Sequence, residues 1–135
     1  MTTALLDTNI IIRLLTGDPP DMATGATRFL AAADLQALRL TDLVLAEVVF
    51  VLESVYKVSR AQIADYARAI VAFPAIQVTD ATVLQRTIEI YEKHRLSFVD
   101  AYLVAAAEGT RDGVVASFDK GIDRVGTIRR VVPAG

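Results

Sequence analysis

Four carboxylates stand where a folded chain of alternating strands and helices could use them together. Asp7 closes the short apolar run 4–7, Asp119 lies just past the apolar run 114–117, and Asp100 opens an alanine-rich helix. In a parallel α/β sheet, ligands gather at the carboxyl ends of the strands, where helix N-termini also converge. All three residues would project toward that edge. Glu47 is set apart by its surroundings, since its neighbours at helical spacing are Leu43, Val44, Phe50 and Val51. That spacing predicts a buried face, and a carboxylate on such a face must be paired, protonated or bound to a metal. Glu53, about two thirds of a turn further round, is expected in solvent. Carboxylates forced together repel and raise one another's pKa, so the set calls for a cation. Oxygen ligands in a chain without cysteine point to magnesium or manganese.

Each acid also has a structural reading. Asp7 can cap the following helix, Asp100 can complete a capping box begun by Ser97, Asp119 can start a turn with Lys120 and Gly121, and Glu47 can pair with an arginine. The joint pattern, rather than any single residue, favours chemistry. Other chemistries are thinned by inventory. His94 is the single histidine and follows Glu92-Lys93 at a helix end, a place the helix dipole favours for a surface histidine. A zinc site built from several histidines is excluded, and no nucleophile-elbow motif accompanies the one histidine. The seven glycines are scattered, so there is no phosphate-cradling loop.

At 135 residues, with 53% hydrophobic and 22% charged residues, the chain has the size and composition of one globular domain, read as residues 1–135. Fourteen basic against 16 acidic side chains leave a net charge of -2, so any attraction for nucleic acid must be local. Lys120, Arg124, Arg129 and Arg130 supply a candidate patch, beside Asp119 and Asp123. The longest apolar run, 43–55, contains Glu47 and Glu53 and is too short to span a bilayer; the N-terminus lacks a signal-peptide pattern. A soluble cytoplasmic protein with no membrane association is expected.

The positioning elements follow from periodicity and punctuation. Strands are expected at 4–7, 38–41, 76–78, 114–117 and 129–132. Helices are expected over 9–15, 21–33, about 43–56 with Asp42 as cap, from Ser59 to Pro74, from Asp80 to about His94, and from Ser97 to near Gly109. Short apolar strands alternating with helices predict an α/β fold, a three-layer α/β/α sandwich around a mostly parallel sheet of four or five strands.

Leu5-Leu6-Asp7-Thr8-Asn9, Glu47 in its apolar helix, Phe98-Val99-Asp100-Ala101 and Ser117-Phe118-Asp119-Lys120 together resemble the PIN-domain ribonucleases, and among them the VapC-type toxins. The resemblance spans nearly the whole chain. It implies magnesium- or manganese-dependent endonucleolytic cleavage of RNA, frequent homodimerisation, and inhibition by a small antitoxin protein. Asp7, Glu47, Asp100 and Asp119 take the acidic metal-site positions, with Thr8, Asn9 and Ser117 as polar neighbours and Asp123 as an accessory. Arg13, Lys120 and Arg124 are candidates for holding the RNA backbone. A receiver-like phosphotransfer domain is disfavoured because Asp7 lacks a paired acid and the mid-chain acid is a glutamate within a helix. A PIN-like scaffold that binds RNA or antitoxin without cutting shares every motif.

Overall fold

The computed structural model describes residues 2–134, and the chain divides into two compact units, Met1–Thr79 and Asp80–Gly135. In the first unit the order is β1 (Ala4–Leu5), α1 (Thr8–Thr16), α2 (Pro20–Ala32), β2 (Leu38–Arg39), α3 (Asp42–Ser54), α4 (Arg60–Val71) and β3 (Ile76–Gln77). Its strands form a parallel ladder in the order β1-β2-β3, with Ala4 opposite Leu38 and Leu38 opposite Ile76. The second unit contains α5 (Ala81–His94), α6 (Phe98–Glu108), β4 (Val114–Ala116), a 3-10 turn (Lys120–Arg124) and β5 (Arg129–Val131), with β4 parallel to β5. Every strand pairing is parallel, as expected of an α/β chain.

The strands are shorter than the apolar runs that suggested them, and in the first two the residue that ends the run is taken up as a helix cap. Asp7 leaves the first strand to cap α1, its Oδ1 accepting from the Thr8 N–H at 2.8 Å. Thr41, rather than Asp42, caps α3, its hydroxyl accepting from the Val44 N–H at 3.2 Å. Asp42 falls in the first turn, where the helix dipole favours an acid. Ser59, Asp80 and Ser97 cap α4, α5 and α6 as their spacing predicts. Gly17 ends α1 in the left-handed region at φ 71, its N–H bonded to the Arg13 carbonyl.

In the first unit Ile11, Leu40, Leu45, Val48, Leu52 and Ile63 are fully or nearly fully buried. In the second, Leu84, Ile88, Tyr91, Val104 and Ile122 form the centre, and the small Ala101 and Ala105 let α6 lie close to its neighbours. The Tyr91 and Phe98 rings meet edge to face at 5.7 Å. This contact pins the first turn of α6, which carries Asp100.

A polar clamp joins α5 to α6. Arg86 donates two hydrogen bonds of 2.8 Å to the two oxygens of Glu108, also contacts Glu89, and Thr127 donates to Glu108. The Arg86 guanidinium holds the Glu108 carboxyl below its usual range, against the opposing effect of burial, with smaller help from Thr127 and the charge of His94. The clamp's stability is therefore full above the unfolded glutamate pKa of about 4.3 and is lost as the pH falls through the lower folded value. Glu108→Gln is expected to cost about 1.5–3 kcal/mol at neutral pH. Urea unfolding should show the gap between variant and parent closing in acid; a gap independent of pH would refute this account.

Candidate active site

The acidic residues fall in two groups, one in each unit. In the first unit Asp7 is exposed at the junction of β1 and α1, Thr8 is buried, and Asn9 is exposed on the first turn. Arg13 lies half-buried in the last turn of α1.

Glu47 requires a correction. The buried face of α3 is Leu45, Val48, Val49 and Leu52, and Glu47 lies on the opposite, exposed face with Leu43 and Phe50, which are 84% and 64% exposed. Its apolar neighbours are real, but several of them are themselves turned outward. Glu53, expected in solvent, is half-buried. The cause is a helix apolar over most of its circumference, so that neighbour identity did not select the buried side.

In the second unit the structure brings two of the predicted acids together. Ser97 accepts from the Asp100 N–H at 3.1 Å, completing the predicted cap, and Asp100 sits half-buried in that first turn. The Asp119 carboxyl lies near enough to act on the Asp100 carboxyl. Partial burial pushes the Asp100 pKa up, the neighbouring Asp119 carboxyl pushes it further, and a hydrogen bond with Ser97 opposes them. The structural and chemical readings of Asp100 thus hold at once. Capping fixes the side chain's base while its carboxyl meets a second acid, in the arrangement that a cation relieves.

Asp119 is held by its own loop. Its N–H donates to the Ser117 hydroxyl at 2.9 Å, and its Oδ1 accepts from the Gly121 N–H at 2.8 Å as it caps the 3-10 turn. Asp123 faces a different task, since Arg130 grips both of its oxygens at 2.9 Å and also donates to the Ser117 carbonyl at 3.0 Å. The Arg130 guanidinium lowers the Asp123 pKa. This ion pair fastens β5 to the loop bearing Asp119, so Asp123 acts as a brace. Lys120 is exposed, and Arg124 donates to the Arg95 carbonyl at 3.2 Å.

Two residues have positioning roles that sequence reasoning did not assign them. Arg130 reads in sequence as part of a candidate basic patch, yet its side chain is only 12% exposed. Gly121 reads as a turn glycine, but a Cβ there would lie 3.0 Å from Asp119 Oδ1 and 3.4 Å from Leu96. Gly121→Ala should push the Asp119 carboxylate aside by a few tenths of an ångström while leaving the fold intact, because both obstacles are side-chain ends. We expect weakened manganese binding at an unchanged melting temperature; unchanged binding by calorimetry would show that Asp119 has slack.

Among the described residues, no group of three or more acidic or histidine side chains stands close enough to hold a metal ion. The Asp100–Asp119 pair is the nucleus that fits one, by its oxygen donors and its mutual repulsion.

The PIN domain family model matches residues 4–128. This chain belongs to the PIN domain family. PIN domains are generally nucleases and typically use divalent metal ions, and the match covers all four acidic motifs. The α/β class and the parallel pairing of the described strands, three in one sheet and two in another, agree with the α/β fold expected of a PIN domain. No curated protein and no solved structure matches this PIN domain. Among the described residues, no helix is long and apolar enough to cross a membrane.

Proposed function

We propose that this PIN domain is a magnesium- or manganese-dependent endoribonuclease, the VapC-type toxin of a type II toxin-antitoxin pair. The observation that carries the nuclease reading is that a half-buried Asp100 has the Asp119 carboxyl as a near neighbour, burial and neighbour each raising the cost of a charge on Asp100 that a bound cation would offset. In this reading Asp100 and Asp119 hold the cation, and Asp7 and Glu47 contribute as the further acids of the motif set, with Thr8, Asn9 and Ser117 as polar neighbours. A cation held there would supply Lewis-acid polarisation of the phosphodiester and ease deprotonation of the attacking water. The chain's own part is orientation: Ser97 steadies Asp100, and the Gly121 N–H with Ser117 steadies Asp119. Lys120, Arg124 and Arg13 are placed in this reading as contacts to the RNA backbone.

The toxin reading draws support from α3. Leu43 and Phe50 stand exposed on either side of Glu47, an apolar strip of the kind an amphipathic antitoxin helix would cover. Homodimerisation belongs to the same proposal, and a cytoplasmic location accompanies it.

The test is incubation of the purified, partner-free chain with total RNA and manganese beside an Asp119→Asn control. Cleavage that needs metal and disappears in the control is expected. Intact RNA with the parent chain, or equal cleavage by both proteins, would leave a PIN-like scaffold as the better reading.

A further inference from the structure

We propose that the hollow at the C-terminal end of α5, lined by Lys93, His94, Arg95 and Arg124, holds a backbone phosphate of the RNA strand next to the phosphate engaged at Asp119. The proposal rests on the ribonuclease reading above. The hollow is an open surface depression of about 480 Å³. Its lining residues are three cations and a histidine, in a chain whose net charge is -2.

The helix dipole accounts for part of this cluster, since Lys93 and His94 occupy the last turn of α5, where cations are favoured. It does not account for the rest. Arg95 is the C-cap, in the left-handed region at φ 57 where glycine or asparagine is the easier choice, and Arg124 comes from the 3-10 turn. Arg124 spends one donor on the Arg95 carbonyl, serving the helix end and leaving its remaining donors available. Among the described residues, none of Lys93, Arg95 and Arg124 forms an ion pair with a carboxylate, whereas Arg68, Arg86 and Arg130 each do. His94 has the Glu108 charge near it, but Lys93, Arg95 and Arg124 are held by no direct ion pair, and an anion between them removes their mutual repulsion.

Position identifies the anion. The point where a Cβ on Gly121 would sit is 3.0 Å from Asp119 Oδ1 and 3.7 Å from Arg124 Nη1. Arg124, at the edge of the basic hollow, and Asp119 therefore flank the same glycine. A strand presenting one phosphate to a cation at Asp119 would carry its neighbouring phosphate to Arg124 and Arg95. Lone carboxylates repel RNA, so a local basic subsite is what an acidic nuclease needs to keep its strand.

The test measures binding in EDTA, where no cleavage occurs, so that it stands whether or not the protein proves to be a nuclease. Anisotropy of a fluorescein-labelled single-stranded RNA is recorded against salt for the parent chain, Lys93→Gln/Arg95→Gln, Arg124→Gln, and Arg28→Gln as a control at an exposed arginine of α2. The hollow variants should weaken binding roughly tenfold and make the log-log salt slope shallower by about 0.7 for each phosphate no longer neutralised, with Arg28→Gln close to the parent. An equal weakening in the control would reduce the effect to general charge and overturn the proposal. So would unchanged slopes in the hollow variants, or no RNA binding by the parent at low salt. Inorganic phosphate at constant ionic strength forms a separate arm: thermal stabilisation by phosphate that disappears in the hollow variants, with RNA affinity unaltered, would assign the hollow to a free anion and overturn the RNA assignment.

Discussion

Asp100→Asn is expected to abolish manganese-dependent RNA cleavage, by at least about 100-fold, without lowering the melting temperature. The magnitude follows from what the residue would do. Removing groups that merely orient metal ligands typically costs about 10–100-fold, and removal of an anionic ligand exceeds that. The stability half follows from the raised Asp100 pKa, caused by partial burial and then by Asp119. A carboxyl that binds its proton more tightly in the native state than in the unfolded chain carries a charge penalty above its folded pKa. That penalty is relieved as the pH falls from the folded value toward the unfolded one of about 3.9. The amide has no such penalty, so the variant should match or exceed the parent at neutral pH and lose its advantage in acid. Protons and metal compete for the same oxygens, so manganese affinity of the parent should fall as the pH drops through the raised pKa. Calorimetric titration at several pH values and thermal melts check both halves. Retained turnover, or a clearly lower melting temperature at neutral pH, would contradict this account of Asp100.

Tyr91→Ala should have the opposite profile. Tyr91 is fully buried and meets Phe98 edge to face, so its removal empties a large volume directly beneath the start of α6. Truncating a buried aromatic costs about 3–5 kcal/mol. For a chain of this size that corresponds to a fall of roughly 10–20 °C in melting temperature. Activity should then vanish with the fold, recovering on cooling if the native state recovers. Tyr91→Phe keeps the ring and most of the packing, and should retain far more stability than the alanine variant. A small stability change in Tyr91→Ala would mean that α6 is anchored elsewhere. The two variants together separate what Asp100 does from what holds it.

The elements were legible because their signals are local. Asp80, Ser59 and Ser97 cap helices through side-chain bonds to backbone N–H groups three residues on, so the residue types and spacing suffice to mark each start. Short apolar runs ending in such caps imply parallel strands, and every pairing is parallel. Even the boundary errors are local: Thr41 and Asp42 are both good caps in adjacent positions, and only the observed hydrogen bond to Val44 separates them.

For the four carboxylates, residue order was enough to mark the candidates and to put three of them at strand ends or helix starts. Their company was a matter of tertiary packing. Folding placed Asp100 against Asp119 and assigned Asp123 to Arg130, contacts between residues that no helical or strand period relates. It also turned Glu47 outward. A helix with apolar residues on nearly every side can bury any of several faces at similar gain in hydrophobic free energy, and the choice between them is made by the elements it packs against.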